Sequence, residues 1–132
     1  MMKVLIVEDS LGLVNVYHNI INNIINKHMP KEELEIVSIV NYTEYTYFKN
    51  IKFDLVILDW NINGGTSRQI LEEGASKMKY KVFITGYAFN KQVQMLSEKF
   101  AIPIISKPTN ELEITSMLKD AMNIIHNELV VD

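Results

Sequence analysis

The chain has 132 residues, of which 48% are hydrophobic and 22% charged, the balance of an ordinary globular domain with enough chain to bury a core. A formal net charge of -3 argues against bulk electrostatic attraction to nucleic acid or to an anionic membrane. The absence of cysteine excludes disulfide staples, thiolate zinc sites and cysteine nucleophiles together.

The first apolar run, Val4-Leu5-Ile6-Val7, closes on Glu8-Asp9. It is too short for a secretory signal, and no stretch approaches the roughly 18 apolar residues of a membrane span. A cytoplasmic protein with no membrane or nucleic-acid partner is therefore expected. Val14, Tyr17, Ile21, Ile24 and His28 then recur at helical spacing, predicting an amphipathic helix capped by Ser10 and ended at Met29-Pro30. Residues 34–40 alternate as a second strand suited to a sheet edge, and residues 43–49 form a short helix. Leu55-Val56-Ile57-Leu58 is a third strand, ending in Asp59. A short helix over residues 67–73 closes at Gly74. Val82-Phe83-Ile84 is a fourth strand, followed by Thr85-Gly86, and residues 90–99 form the next helix. Ile102-Pro103-Ile104-Ile105 is a fifth strand before Ser106-Lys107-Pro108. The last helix spans residues 110–127, capped by Asn110, with Leu112, Thr115, Leu118, Ala121, Met122 and Ile125 on one side.

Strands that are nearly continuous in apolar residues are covered on both faces. Alternating with helices, they predict an α/β domain: a doubly wound five-stranded parallel sheet, (βα)5 and flavodoxin-like, with strand order 2-1-3-4-5. There is no internal repeat or linker, so residues 1–132 are read as one domain without an attached effector domain. In such a sheet the C-terminal strand ends share one edge, where ligands bind. Glu8, Asp9, Asp59, Thr85 and Lys107 therefore converge. Three clustered carboxylates stay ionised only beside cations. Lys107 supplies one charge, and Mg2+ or Mn2+, with their preference for oxygen, would supply more. A carboxylate in that setting can act as a nucleophile and form an acyl phosphate, with Lys107 and the Thr85 hydroxyl stabilising the phosphoryl oxygens.

The four strand-end motifs, Glu8-Asp9 in VLIVEDS, Asp59 in FDLVILDW, Thr85-Gly86 in VFITGY and Lys107-Pro108 in ISKP, resemble the receiver domain of bacterial response regulators, nearest the single-domain chemotaxis type. The likeness covers almost the whole chain. It implies that Asp59 accepts a phosphoryl group from a histidine kinase or phosphotransfer protein, assisted by Thr85 and Lys107. It implies a metal held by Glu8, Asp9, Asp59 and the backbone carbonyl of Asn61. Asn61 and Tyr87 would tune the lifetime of the phosphoryl group, and the peptide bond before Pro108 is often cis. A downstream protein would read the face formed by the fourth helix, fifth strand and fifth helix, and the protein would be a monomer or weak dimer. Such a domain catalyses only its own phosphorylation and dephosphorylation and is not an enzyme for an external substrate.

Three positions depart from the pattern. Asn63-Gly64-Gly65 replaces a proline-containing loop after Asp59, predicting a more mobile loop and a looser metal geometry. Ile104 stands where an aromatic switch residue is usual. The stretch over residues 27–33 is longer than usual.

Other residues carry plainer readings. His18, His28 and His126 lack metal-ligand spacing and read as surface or helix-end residues. The seven methionines read as core filler, and Gly64-Gly65 as a turn without the lysine of a phosphate-binding loop. Trp60 either reports on the site or covers it. Tyr87 and Phe89 are expected to be part-exposed at a docking face. Two further functions compete. A phosphorylation-independent interaction module is favoured by Ile104 and the altered loop, and opposed by the complete acid, hydroxyl and lysine set. An aspartate-nucleophile phosphatase of the haloacid-dehalogenase class needs a second aspartate two residues after the nucleophile, where this chain has Asn61.

Overall fold

The computed structural model describes residues 1–131. In chain order the elements are β1 (Met2–Val7), α1 (Leu11–His28), β2 (Leu34–Ile39), α2 (Tyr42–Tyr45), β3 (Phe53–Leu58), β4 (Asn61–Ile62), β5 (Gly65–Thr66), α3 (Arg68–Gly74), a 3-10 turn (Ala75–Lys77), β6 (Met78–Thr85), α4 (Lys91–Phe100), β7 (Ile104–Ser106) and α5 (Glu111–Val131). Five strands make a parallel sheet in the order β2-β1-β3-β6-β7. This is the predicted order, with β4 and β5 forming a separate two-stranded ribbon.

Side-chain alternation along the strands sorts two cores. Val4 and Ile6, Leu55 and Ile57, Val82 and Ile84, and Ile105 face α1 and α5, where they meet Tyr17, Ile21, Ile24, Ile114, Leu118, Met122 and Ile125. Leu5 and Val7, Val56 and Leu58, and Phe83 face the other way, onto Trp60, Ile70 and Leu71, and Val93 and Leu96 of α4. Each fully buried aliphatic side chain contributes about 1.5–3 kcal/mol of transfer free energy, so two filled layers hold the middle of the sheet rigid.

Several local features differ from the sequence reading. β6 begins at Met78, well before Val82, because Met78 and Tyr80 pair with Phe53 and Leu55, and the interposed Lys79 and Lys81 obscured the apolar run. β7 begins after Pro103, which has no N–H to give to a ladder, although its carbonyl accepts from Phe83 N at 2.9 Å. His28 is an exposed helix-end residue of α1, as read, while Ile20, Ile25 and the cap Met29 join the buried face. In α5, Leu112 is 82% exposed and Ile114 packs inward. α2 is a single helical turn. Gly74 does not terminate α3 with a left-handed cap. It continues into the 3-10 turn, and it is glycine because an added Cβ would lie 2.0 Å from the Tyr45 hydroxyl.

Ser10 and Asn110 cap as predicted, and Asn90, expected inside the fourth helix, caps it instead. Ser10 Oγ accepts from Leu13 N at 3.4 Å, Asn90 Oδ1 from Gln92 N at 2.8 Å, and Asn110 Oδ1 from Glu113 N at 2.9 Å. These satisfy donors left free in the first turns of α1, α4 and α5.

Candidate active site

The site is an extension of the sheet ladder. Glu8 N donates to Ile39 O at 3.1 Å, Asp59 N to Val7 O at 2.9 Å, and Lys107 N to Thr85 O at 2.9 Å. Each residue therefore keeps the alternation of its strand. Glu8 continues the Val4-Ile6 row, Asp59 the Leu55-Ile57 row, and Lys107 follows Ile105. All three project on the face covered by α1 and α5. Thr85 follows Phe83 on the opposite row and lies at the end of β6, between β3 and β7.

Lys107 Nζ donates to Glu8 Oε1 at 2.7 Å and to Asp59 Oδ2 at 3.0 Å. Glu8 is 2% exposed, and its second oxygen accepts from Ser10 N at 3.2 Å. Asp59 is 9% exposed, and its Oδ1 is buried without a hydrogen-bond partner among the described residues. Asp9 is exposed at the mouth. Glu8, Asp9 and Asp59 each bring one carboxylate oxygen to within 4.8 Å of the others. Thr85 is fully buried, and its Oγ1 accepts from Tyr87 N at 3.1 Å. Asn61 lies two residues beyond Asp59, exposed on the first strand of the ribbon. The structure thus draws Glu8, Asp9, Asp59 and Lys107 into one cluster, with Thr85 at the adjoining strand end.

Burial raises the Glu8 carboxyl above its ordinary range, with the Asp59 charge adding to the rise and the Lys107 hydrogen bond opposing it. Burial alone would lower the Lys107 ammonium, but hydrogen bonds and charge from Glu8 and Asp59 outweigh it, so the net shift is upward. One ammonium thus faces an acid-rich cluster. Oxygen donors at close spacing, with the orphaned Asp59 Oδ1 among them, suit a hard divalent cation such as Mg2+ or Mn2+.

The segment after Asp59 turns at the glycines, as expected, and also carries two short strands. β4 and β5 pair as an antiparallel ribbon, turned through Gly64 at φ 84°, a conformation glycine adopts without steric cost. Asn63 N donates to Val40 O at 3.1 Å and Ser67 N to Trp60 O at 2.9 Å. Hydrogen bonds therefore tie both ends of the ribbon. Trp60 is buried in the core beneath the site. The Lys107-Pro108 peptide bond is cis. Ile104 packs, part-buried, against the α3 and α4 core. Beyond Thr85, Tyr87 and Phe89 are exposed, Phe89 by 86%, and so is Met95 of α4.

Some residues near the site escaped the sequence reading. Helical spacing shows Tyr17 only as part of an apolar face, yet its hydroxyl is buried and unpaired among the described residues, as is Ser67 Oγ. A tyrosine on an apolar stripe carries a polar tip that needs a partner, and that was the available signal. Away from the site, at the other edge of the sheet, His126 is part-buried and paired. Its Nδ1 lies 3.0 Å from Glu32 Oε1.

Neither a family model nor a curated relative matches the sequence. Solved structures do match. A CheY-like response regulator receiver domain protein from Methanospirillum hungatei JF-1 superposes with a TM-score of 0.73 at 20% identity, covering 97% of this chain and 98% of the other. The receiver domain of a sensor histidine kinase from Pseudomonas aeruginosa PAO1, described with a magnesium ion coordinated in its active site cleft, gives 0.67 at 11% identity over 92% and 98%. A response regulator protein from Burkholderia pseudomallei, described with a phosphorylated aspartic acid, a calcium ion and citrate, gives 0.67 at 14% identity over 100% and 75%. Among the described residues no helix is long and apolar enough to cross a membrane. The chain has the five-stranded parallel fold of CheY-like receiver domains, matched over nearly its whole length.

Proposed function

We propose that this protein is a phosphoacceptor receiver domain that takes a phosphoryl group onto Asp59 and signals through the resulting change in its α4-β7-α5 face. The observation that carries the reading is the Lys107 ammonium bridging Glu8 and Asp59, with Asp9 beside them, at the ligand-binding edge of the sheet. The magnesium and the phosphorylated aspartate described for structural neighbours support it.

The donor is a phosphohistidine of a histidine kinase or phosphotransfer protein. An Asp59 carboxylate oxygen forms the new O–P bond as the P–N bond breaks, and the imidazole leaves with the bonding pair and takes up a proton. Lys107, already 3.0 Å from Asp59, shifts toward the incoming phosphoryl oxygens. The Thr85 hydroxyl accepts from Tyr87 N through its oxygen, so its own proton remains available to a phosphoryl oxygen. Glu8, Asp9, Asp59 and the Asn61 carbonyl would hold Mg2+ or Mn2+, which would neutralise charge on the acids and the phosphoryl group. Hydrolysis reverses the modification: water attacks phosphorus, inorganic phosphate departs and the Asp59 carboxylate is restored. The domain turns over no external metabolite, and its output is a protein partner.

The test is incubation with acetyl phosphate and Mg2+, followed by intact mass measurement. The wild type should gain the mass of one phosphoryl group and Asp59→Asn should gain none. Equal behaviour of the two proteins would reject the reading.

A further inference from the structure

Tyr17 lies in the first half of α1 and is 1% exposed, with its hydroxyl buried and unpaired among the described residues. An unpaired buried hydroxyl is destabilising, and phenylalanine would fill the same apolar space without that penalty. The position of the ring shows where the hydroxyl can be used. α1 starts beside Glu8 and runs back over the Val4-Ile6 face. Helical side chains slant toward the helix N-terminus, so the phenol leans toward the acid cluster. Tyr17 also shares with Lys107, Pro108, Thr109, Leu13 and Val16 the wall of a cavity of about 540 Å³. Burial, with the charges of Glu8 and Asp59 adding to it, raises the phenol above its ordinary pKa, so it remains a donor at any physiological pH.

Glu8 is where a donor will be missing. In the resting site, among the described residues, Glu8 Oε1 accepts from Lys107 alone and Oε2 from Ser10 N. A phosphoryl group on Asp59 competes for the same ammonium. As Lys107 moves, a nearly inaccessible carboxylate loses its ammonium donor, and the lone pairs it does not turn to a bound cation need another one. A neutral donor can replace that bond without adding a charge beside the acids.

We propose that Tyr17 is a positioning residue of the phosphoryl site, its hydroxyl donating to the Glu8 carboxylate when Lys107 transfers to the phosphoryl group. The inference rests on the phosphoacceptor reading of Asp59. It assigns the resting protein an unmet hydrogen bond that the loaded protein satisfies, so removing the hydroxyl has opposite consequences in the two states.

The experiment compares wild type, Tyr17→Phe and Asp59→Asn. Each is melted in metal-free buffer and with beryllofluoride plus Mg2+, and beryllofluoride affinity is read from Trp60 emission. Tyr17→Phe should melt at the wild-type temperature or above it in metal-free buffer. It should bind beryllofluoride about tenfold more weakly, the equivalent of one hydrogen bond. Unchanged affinity would overturn the proposal. So would a loss of melting temperature in metal-free buffer, which would mark a packing role alone. If the wild type gains no stability from beryllofluoride, or Asp59→Asn gains as much, the phosphoacceptor reading itself fails.

Discussion

Lys107 and Glu8 stand 99 residues apart in the chain, and their charged groups meet at 2.7 Å, while the same ammonium reaches Asp59 at 3.0 Å. The resting cation is thus held at least as closely by the acid that takes no phosphoryl group as by the one that does. Lys107→Met should strand two nearly buried carboxylates. Breaking a buried pair costs about 3–5 kcal/mol, and because Lys107 is part-exposed, about 2 kcal/mol is expected here. Chemical denaturation in metal-free buffer reads this loss directly. Added Mg2+ should recover more stability in Lys107→Met than in the wild type, because the variant has the larger uncompensated negative charge.

Asp59→Asn should act in the other direction on the metal-free protein. It removes one of three crowded carboxylates, and with it one of the charges that hold Glu8 above its ordinary range. The variant should melt at or above the wild-type temperature without metal. Its Mg2+ affinity should fall about tenfold or more, since the number of charged ligands sets the affinity of such sites. A Mg2+ titration followed by Trp60 emission measures the second effect, and unchanged affinity would show that Asp59 is not a ligand.

Gly74 and Tyr45 give a test of packing remote from the site. An added Cβ at Gly74 would lie 2.0 Å from the Tyr45 hydroxyl and 2.9 Å from its ring, and Tyr45 is buried. Gly74→Ala should lose about 1–3 kcal/mol through overpacking, despite alanine's better helix propensity. Adding Tyr45→Phe should return part of the loss, because the closest clashing atom is gone. Melting curves of the single and double variants form the cycle that decides it.

Glu32 supplies a pH-dependent contact. Burial would raise its carboxyl, but the hydrogen bond with His126 and the nearby Met1 ammonium, 3.4 Å away, outweigh it and hold it below the ordinary range. A carboxyl depressed in the folded state stabilises above the unfolded value, about 4.3 for glutamate. That stability is lost as pH falls through the folded value. Glu32→Gln should therefore be less stable than the wild type near pH 6, with the gap closing as the medium becomes more acidic than the ordinary glutamate range. A gap independent of pH would mean that packing, not charge, is lost.

The parts of the molecule visible in the sequence were those fixed by periodicity and strand ends. The β1, β3 and β7 runs, their order in the sheet, and the meeting of Glu8, Asp59 and Lys107 follow from apolar strands that must be covered on both faces. The start of β6 was hidden because Lys79 and Lys81 interrupt an apolar run, although the backbone pairs through them. Lys81 folds back onto the Met78 carbonyl at 3.0 Å. The ribbon of β4 and β5 shows in the sequence only as a glycine turn because each strand is two residues long, too short for any period. Spacing alone places Leu112 inward. Near helix ends an extra turn can project beyond the neighbouring element, and only the packed structure shows which residues it leaves exposed. Tyr17 was read through its ring, while its hydroxyl, the informative atom, depends on what lies at the top of the sheet.

The most direct test of the central claim is chemical trapping of the modified residue. After reaction with acetyl phosphate and Mg2+, borohydride reduces an acyl phosphate to an alcohol, and peptide mapping then locates it. The account predicts homoserine at position 59 and at no other acidic residue. Aspartate remaining at position 59 while the alcohol appears at Glu8 or Asp9, or phosphoryl mass retained on a residue other than a carboxylate, would contradict it.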